Sequence, residues 1–69
     1  MSAPLGRYVV GYATRDGNTH KFRRLHRLSC ALRIEAMLQA KHGRGIAAYT
    51  YDSEDPERGM LSELDLEDA

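Results

Sequence analysis

Tryptophan is missing from this chain, and phenylalanine and cysteine each occur once. With Cys30 alone, no disulfide can close within the chain, so stability has to come from packing or association. No stretch approaches the roughly 18 consecutive apolar residues that a membrane-spanning helix requires, and no membrane partner is expected. The opening MSAPLGRY lacks the apolar run of a secretion signal. A reducing cytoplasm is therefore the expected compartment. The glycines are scattered at turns and element ends; they build neither a phosphate-cradling loop nor a dinucleotide fingerprint, and there is no nucleophile elbow. No catalytic residue and no cofactor is assigned. An enzyme is not expected, because so small a fold offers little concave volume to shield a reaction from water.

What the chain does have is charge, arranged unevenly. The formal net charge is zero. Yet residues 1–45 carry nine basic against two acidic side chains, a net +7, and residues 46–69 carry one basic against eight acidic, a net −7. Such polarity predicts that the acidic tail folds back on the basic part, pairs with a neighbour's basic part, or serves as a docking signal. Its nearest internal target is the Arg23, Arg24 and Arg27 cluster.

A chain of 69 residues makes one small domain that buries a modest share of its surface. Its organising stretch is Leu25 to Gly43, whose apolar residues fall on a helix as two stripes at about 100° per residue. Leu25, Leu28, Leu32 and Ala36 line one side; Ala31, Ile34 and Leu38 line nearly the opposite one. Two apolar faces need two things to cover them, which makes Leu28, Leu32, Ile34 and Leu38 core or dimer residues and a homodimer the expected assembly. Lys41 and His42 suit the carbonyl end of the helix dipole, and Gly43 is a left-handed stop.

Arg7 to Thr14 reads as a strand from its β-branched and aromatic residues, with Gly11 marking a bulge or close approach. Arg15 to Asn18 is a hairpin turn of the Asp-Gly kind. Thr19 to Arg23 is then a second strand, with the helix starting between Leu25 and Ser29; in a rival reading the helix starts near Thr19 and the fold shrinks to β-α-β. Gly45 to Asp52 is the last strand, expected to pair with the first. The predicted architecture is α+β, a single-layer ββαβ unit: a three-stranded, mainly antiparallel sheet with one central helix on one face. Residues 1–6 form a flexible lead, 7–52 the core and 53–69 an acidic tail. Asp55-Pro56-Glu57 resembles a helix start, so the tail is expected either as a disordered acidic tail or as a marginal helix of roughly ten residues, short enough to need docking, with Met60, Leu61 and Leu64 on its docking face.

Three surfaces are candidates for binding. Arg23, Arg24, Arg27 and Arg33 can neutralise phosphates or carboxylates; if helical, the first three share one side. Tyr8 and Tyr12 share a side of the first strand, Tyr49 and Tyr51 a side of the last, and tyrosine-lined strands suit stacked bases or a protein partner. His26 and Cys30, four apart on a helix, are half of a zinc site whose other half is missing. No metal is assigned, and Cys30 is expected to be a small buried apolar group. Tyrosine and arginine are favoured at protein interfaces. The expected function is a small non-enzymatic regulator, of the kind encoded by mobile elements, that binds and blocks or modulates a protein target. The alternative is a nucleic-acid regulator whose basic 21–33 stretch is contested by the acidic tail.

Overall fold

The computed structural model describes residues 6–68, so residues 1–5 of the lead expected at 1–6 and the final Ala69 lie outside the described residues, while Gly6 is buried. Three strands, β1 (Tyr8–Thr14), β2 (Thr19–Leu25) and β3 (Ile46–Asp52), and one helix, α1 (Leu28–His42), form the domain. The sheet order is β2-β1-β3 and both pairings are antiparallel. The most apolar strand, β1, sits in the middle, where both of its edges are paired and Val9, Val10 and Gly11 are buried. This is the predicted ββαβ unit. The rival start of the helix at Thr19 does not occur.

Strand alternation decides what the helix covers. Tyr8, Val10 and Tyr12 point towards α1 with their cross-strand partners Asp52, Thr50 and Ala48, and they pack around Val10, Ala31 and Leu38 with Leu25, Ile34 and Ile46. Leu28 is buried as well, Leu32 is half-buried and Ala36 is exposed. The helix meets the sheet on one flank and the C-terminal turn Glu63–Asp68 on another.

The β1–β2 turn is a three-residue loop, not a primed two-residue one. Thr14 N–H donates to Asn18 O at 2.8 Å and Gly17 N–H to Thr14 O at 3.1 Å. Gly17 alone has positive φ, at 89°. A type I′ turn needs positive φ at Asp16 too, and Asp16 instead uses its carboxylate to accept from the Thr14 hydroxyl (2.6 Å) and the Asn18 amide (3.1 Å).

Gly43 stops α1 with φ 57° and donates its N–H to Gln39 O. From there Gln39 ties the helix to β3. Its Nε2 donates to Gly43 O (2.6 Å) and Ile46 O (2.9 Å), and its Oε1 accepts from Ala48 N–H (2.8 Å). The tail is not one helix. Pro56–Arg58 makes a single 3-10 turn, Gly59 at φ 72° ends it, and Met60 then bridges to Tyr51 while Leu61 N–H donates to Thr50 O at 2.7 Å. A second 3-10 turn follows at Glu63–Asp68. Of the expected docking residues, Leu61 is buried; Met60 and Leu64 are exposed.

Candidate functional site

The two edges of the sheet differ. On β3, Ile46 O and Ala48 N–H are bound by Gln39 and Thr50 O by Leu61 N–H, so the outer edge is closed by the chain itself. On β2, Thr19 to Arg24 are exposed, and among the described residues no backbone bond reaches the strand from its outer side. The helix lies mainly over β3 and β1 and barely reaches β2. A groove of about 330 Å³ is left between α1 and β2, lined by Phe22, Arg23, Ile34, Met37, Lys41 and His42 above buried Leu38.

A bulge builds the wall of this groove. Val10 pairs with Arg23 and Gly11 with Lys21, so Phe22 is the extra residue of β2. In a regular strand Phe22 and Arg23 would face opposite ways; bulges re-aim side chains, and here both line the groove. Phe22 is 51 % exposed and Met37 61 %, with the Arg23 guanidinium 6.0 Å from the Phe22 ring centroid. His42 closes one end, stacked on Tyr12 at 6.0 Å and 16°. The charged groups of the lining are Arg23 and Lys41. It contains no carboxylate.

The face away from the helix is a second surface. Arg24, Val9 and Tyr51 form one cross-strand row and Lys21, Gly11 and Tyr49 the next. The Tyr49 and Tyr51 rings stack at 6.2 Å and 25°. Gly11 has to lack a side chain: a Cβ there would lie 2.7 Å from both His20 O and the Tyr49 hydroxyl. Arg24 is anchored at the rim, its Nε donating to Gly6 O (3.0 Å) and its Nη2 to Ser53 Oγ (3.2 Å).

No protein-family model, no curated protein and no solved structure matches the chain. The site therefore has to be argued from its own geometry.

The predicted residues do not form one surface. Tyr8 and Tyr12 belong to the core side under α1, whereas Tyr49 and Tyr51 lie on the open face. Arg23 and Arg24, neighbours on a strand and not on a helix, point to opposite sides. Arg27 occupies the N-cap position of α1 without capping it, and Arg33 is exposed on the helix. His26 precedes the helix, so it shares no helical face with Cys30, and Cys30 is exposed, contrary to the burial expected of it. Among the residues searched, no group of three or more His, Cys, Asp or Glu could hold a metal ion. None of the described residues belongs to a helix long and apolar enough to cross a membrane.

Two buried polar groups escaped the sequence reading. Asp52 is fully buried, and it accepts Arg7 Nε at 2.8 Å, Arg7 Nη2 at 2.7 Å and Glu54 N–H at 2.9 Å. These bonds to Arg7 hold its carboxyl below the usual range against the opposing effect of burial. Thr50, beside Val10 in the core, has a buried hydroxyl with no partner among the described residues. The tail also departs from expectation. The ion pairs among the described residues are Arg7 with Asp52 and Glu54, and Arg58 with Asp65 at 2.8 Å; none joins the tail to Arg23, Arg24 or Arg27.

Proposed function

We propose that this chain is a non-enzymatic regulatory protein that binds a protein target and blocks or modulates it. One observation carries the reading: β2 is an unclosed sheet edge beside an apolar groove in which Phe22 and Met37 are more than half exposed. Exposed edges are recognition templates or liabilities, and large apolar side chains held open beside one are what interfaces bury. A cytoplasmic target suits the lone reduced cysteine. Affinity capture from a lysate of the source organism, with and without nuclease, tests it. A stoichiometric protein that survives nuclease and is released by Phe22→Ser supports the reading; recovery of nucleic acid alone refutes it.

A second reading has its own observation. The stacked Tyr49 and Tyr51, in register with Arg24 and Lys21 on the open face, combine π surfaces with cations as single-stranded nucleic acid requires. Such binding would weaken steeply with salt and with Tyr49→Ala, and would ignore Phe22→Ser.

A further inference from the structure

We infer that the groove between α1 and β2 receives an acidic, extended segment of a partner protein, laid along β2 as a fourth strand with a bulky apolar side chain between Phe22 and Met37. The inference rests on the protein-binding reading and names the chemistry of the partner.

Three observations fix the occupant. Among the described residues β2 is the edge left open, since Gln39 and Leu61 close β3. The groove is lined by apolar Phe22, Ile34, Met37 and Leu38 together with cationic Arg23 and Lys41. Third, β2 itself, THKFRRL, carries Lys21, Arg23 and Arg24 and no acid. A second copy pairing β2 with β2 would bring together two strands that each carry three cations and no acid, and like charges across a strand pair are destabilising. The same cations attract a strand that presents carboxylates. Strand addition of this type takes affinity from main-chain hydrogen bonds and selectivity from alternate side chains. The bulge supplies the pocket for one of them.

The chain's own acidic tail is already placed elsewhere. Leu61 is buried and Met60 bridges to Tyr51 on the β3 side of the molecule; the tail meets β2 where Ser53 Oγ accepts from Arg24 Nη2 at the rim of the open face, and no described tail residue lines the groove.

Isotope-labelled full-length protein is titrated with short synthetic peptides that alternate glutamate with leucine or phenylalanine, with the same peptides carrying lysine for glutamate, and with acidic peptides N-methylated at alternate residues. The acidic peptide is expected to saturate and to shift amide resonances of Thr19–Leu25 together with Ile34, Met37 and Lys41. N-methylation, which removes at least two main-chain bonds, and Arg23→Glu are each expected to weaken binding about tenfold or more. Arg23→Glu with Lys41→Glu is expected to invert the preference towards the lysine peptide. Equal binding of acidic and basic peptides, shifts confined to the Tyr49 and Tyr51 face, or no shift at β2 overturns the inference. Concentration-dependent shifts at β2 without peptide, with a dimer mass by light scattering, overturn it in favour of a second copy. Failure of the peptides alongside a captured, nuclease-resistant target removes this inference alone. Absence of any target removes the protein-binding reading itself.

Discussion

Asp52→Asn tests what holds the two ends of the sheet together. Asp52 has no exposed surface, and its carboxylate meets both Nε and Nη2 of Arg7, from 45 residues earlier in the chain, at 2.8 and 2.7 Å. Asparagine keeps the shape, but one terminus becomes an NH2 group. If its oxygen stays with Arg7 Nε and Glu54 N–H, its amide confronts Arg7 Nη2, donor against donor. One charge-assisted bond is lost, of the class contributing about 1.5–3 kcal/mol. Severing a fully buried pair costs about 3–5 kcal/mol, but the Arg7 side chain is 45 % exposed and water replaces part of what it loses. A destabilisation of about 2 kcal/mol follows, or about 8–16 °C in Tm for a domain this small. The pH dependence has a definite sign. The folded-state pKa of Asp52 lies below its ordinary value, so its contribution is present above the unfolded carboxylate pKa of about 3.9 and is lost as pH falls through the folded value. The gap between wild type and Asp52→Asn should therefore be full at pH 7 and close during acidification. Asp16 and Asp65, whose pKa values are also lowered, give both proteins a remaining acid slope of the same sign. Urea and thermal melts by circular dichroism read these differences. Equal Tm values at pH 7, or a gap that widens in acid, would refute the reasoning.

Thr50→Val removes the unpartnered buried hydroxyl while keeping the branched shape beside Val10, and is expected to raise stability by about 1 kcal/mol, seen as a higher urea midpoint at unchanged slope. Gln39→Ala frees Ile46 O and Ala48 N–H, and should cost about 1–2 kcal/mol; hydrogen exchange should show lost protection at Ala48 while Val10 keeps its own.

The parts legible in the sequence were those set by neighbouring residues. Strand β1 announced itself by its β-branched and aromatic residues, α1 ended where Lys41, His42 and Gly43 said it would, and β3 began within a residue of expectation. Thr19 to Leu25 was ambiguous because Phe22 and Leu25 fit a helical stripe as well as a strand; pairing with β1 decided it. What local pattern could not carry was geometry made at a distance. The Arg7–Asp52 pair joins opposite ends of the chain. The bulge that turns Phe22 into the groove depends on the register with β1, which no single strand encodes. Of the two readings of the tail, a docked helix or an acidic tail, the single helix does not form because Gly59 has a positive φ of 72°, which turns the chain so that Met60 and Leu61 run beside β3.

That turn also decides the meaning of the charge polarity. A tail folded onto Arg23, Arg24 and Arg27 would have neutralised the basic half and left little to recognise. Instead the start of the tail meets the basic half at two points, Ser53 Oγ accepting from Arg24 Nη2 and Glu54 pairing with Arg7, and Met60 and Leu61 then run beside β3. From there the tail is two strand spacings of about 4.8 Å from β2 before its own width is added, and exposed charges further apart than about 8 Å are largely screened at physiological salt. The tail's carboxylates therefore compete weakly for the β2 cations, and the groove keeps its positive rim even though the molecule as a whole is neutral. Neutrality overall and a cationic binding edge are compatible because Leu61 is anchored under β3 and not under β2. At β2 the edge is basic, apolar and, among the described residues, unpaired.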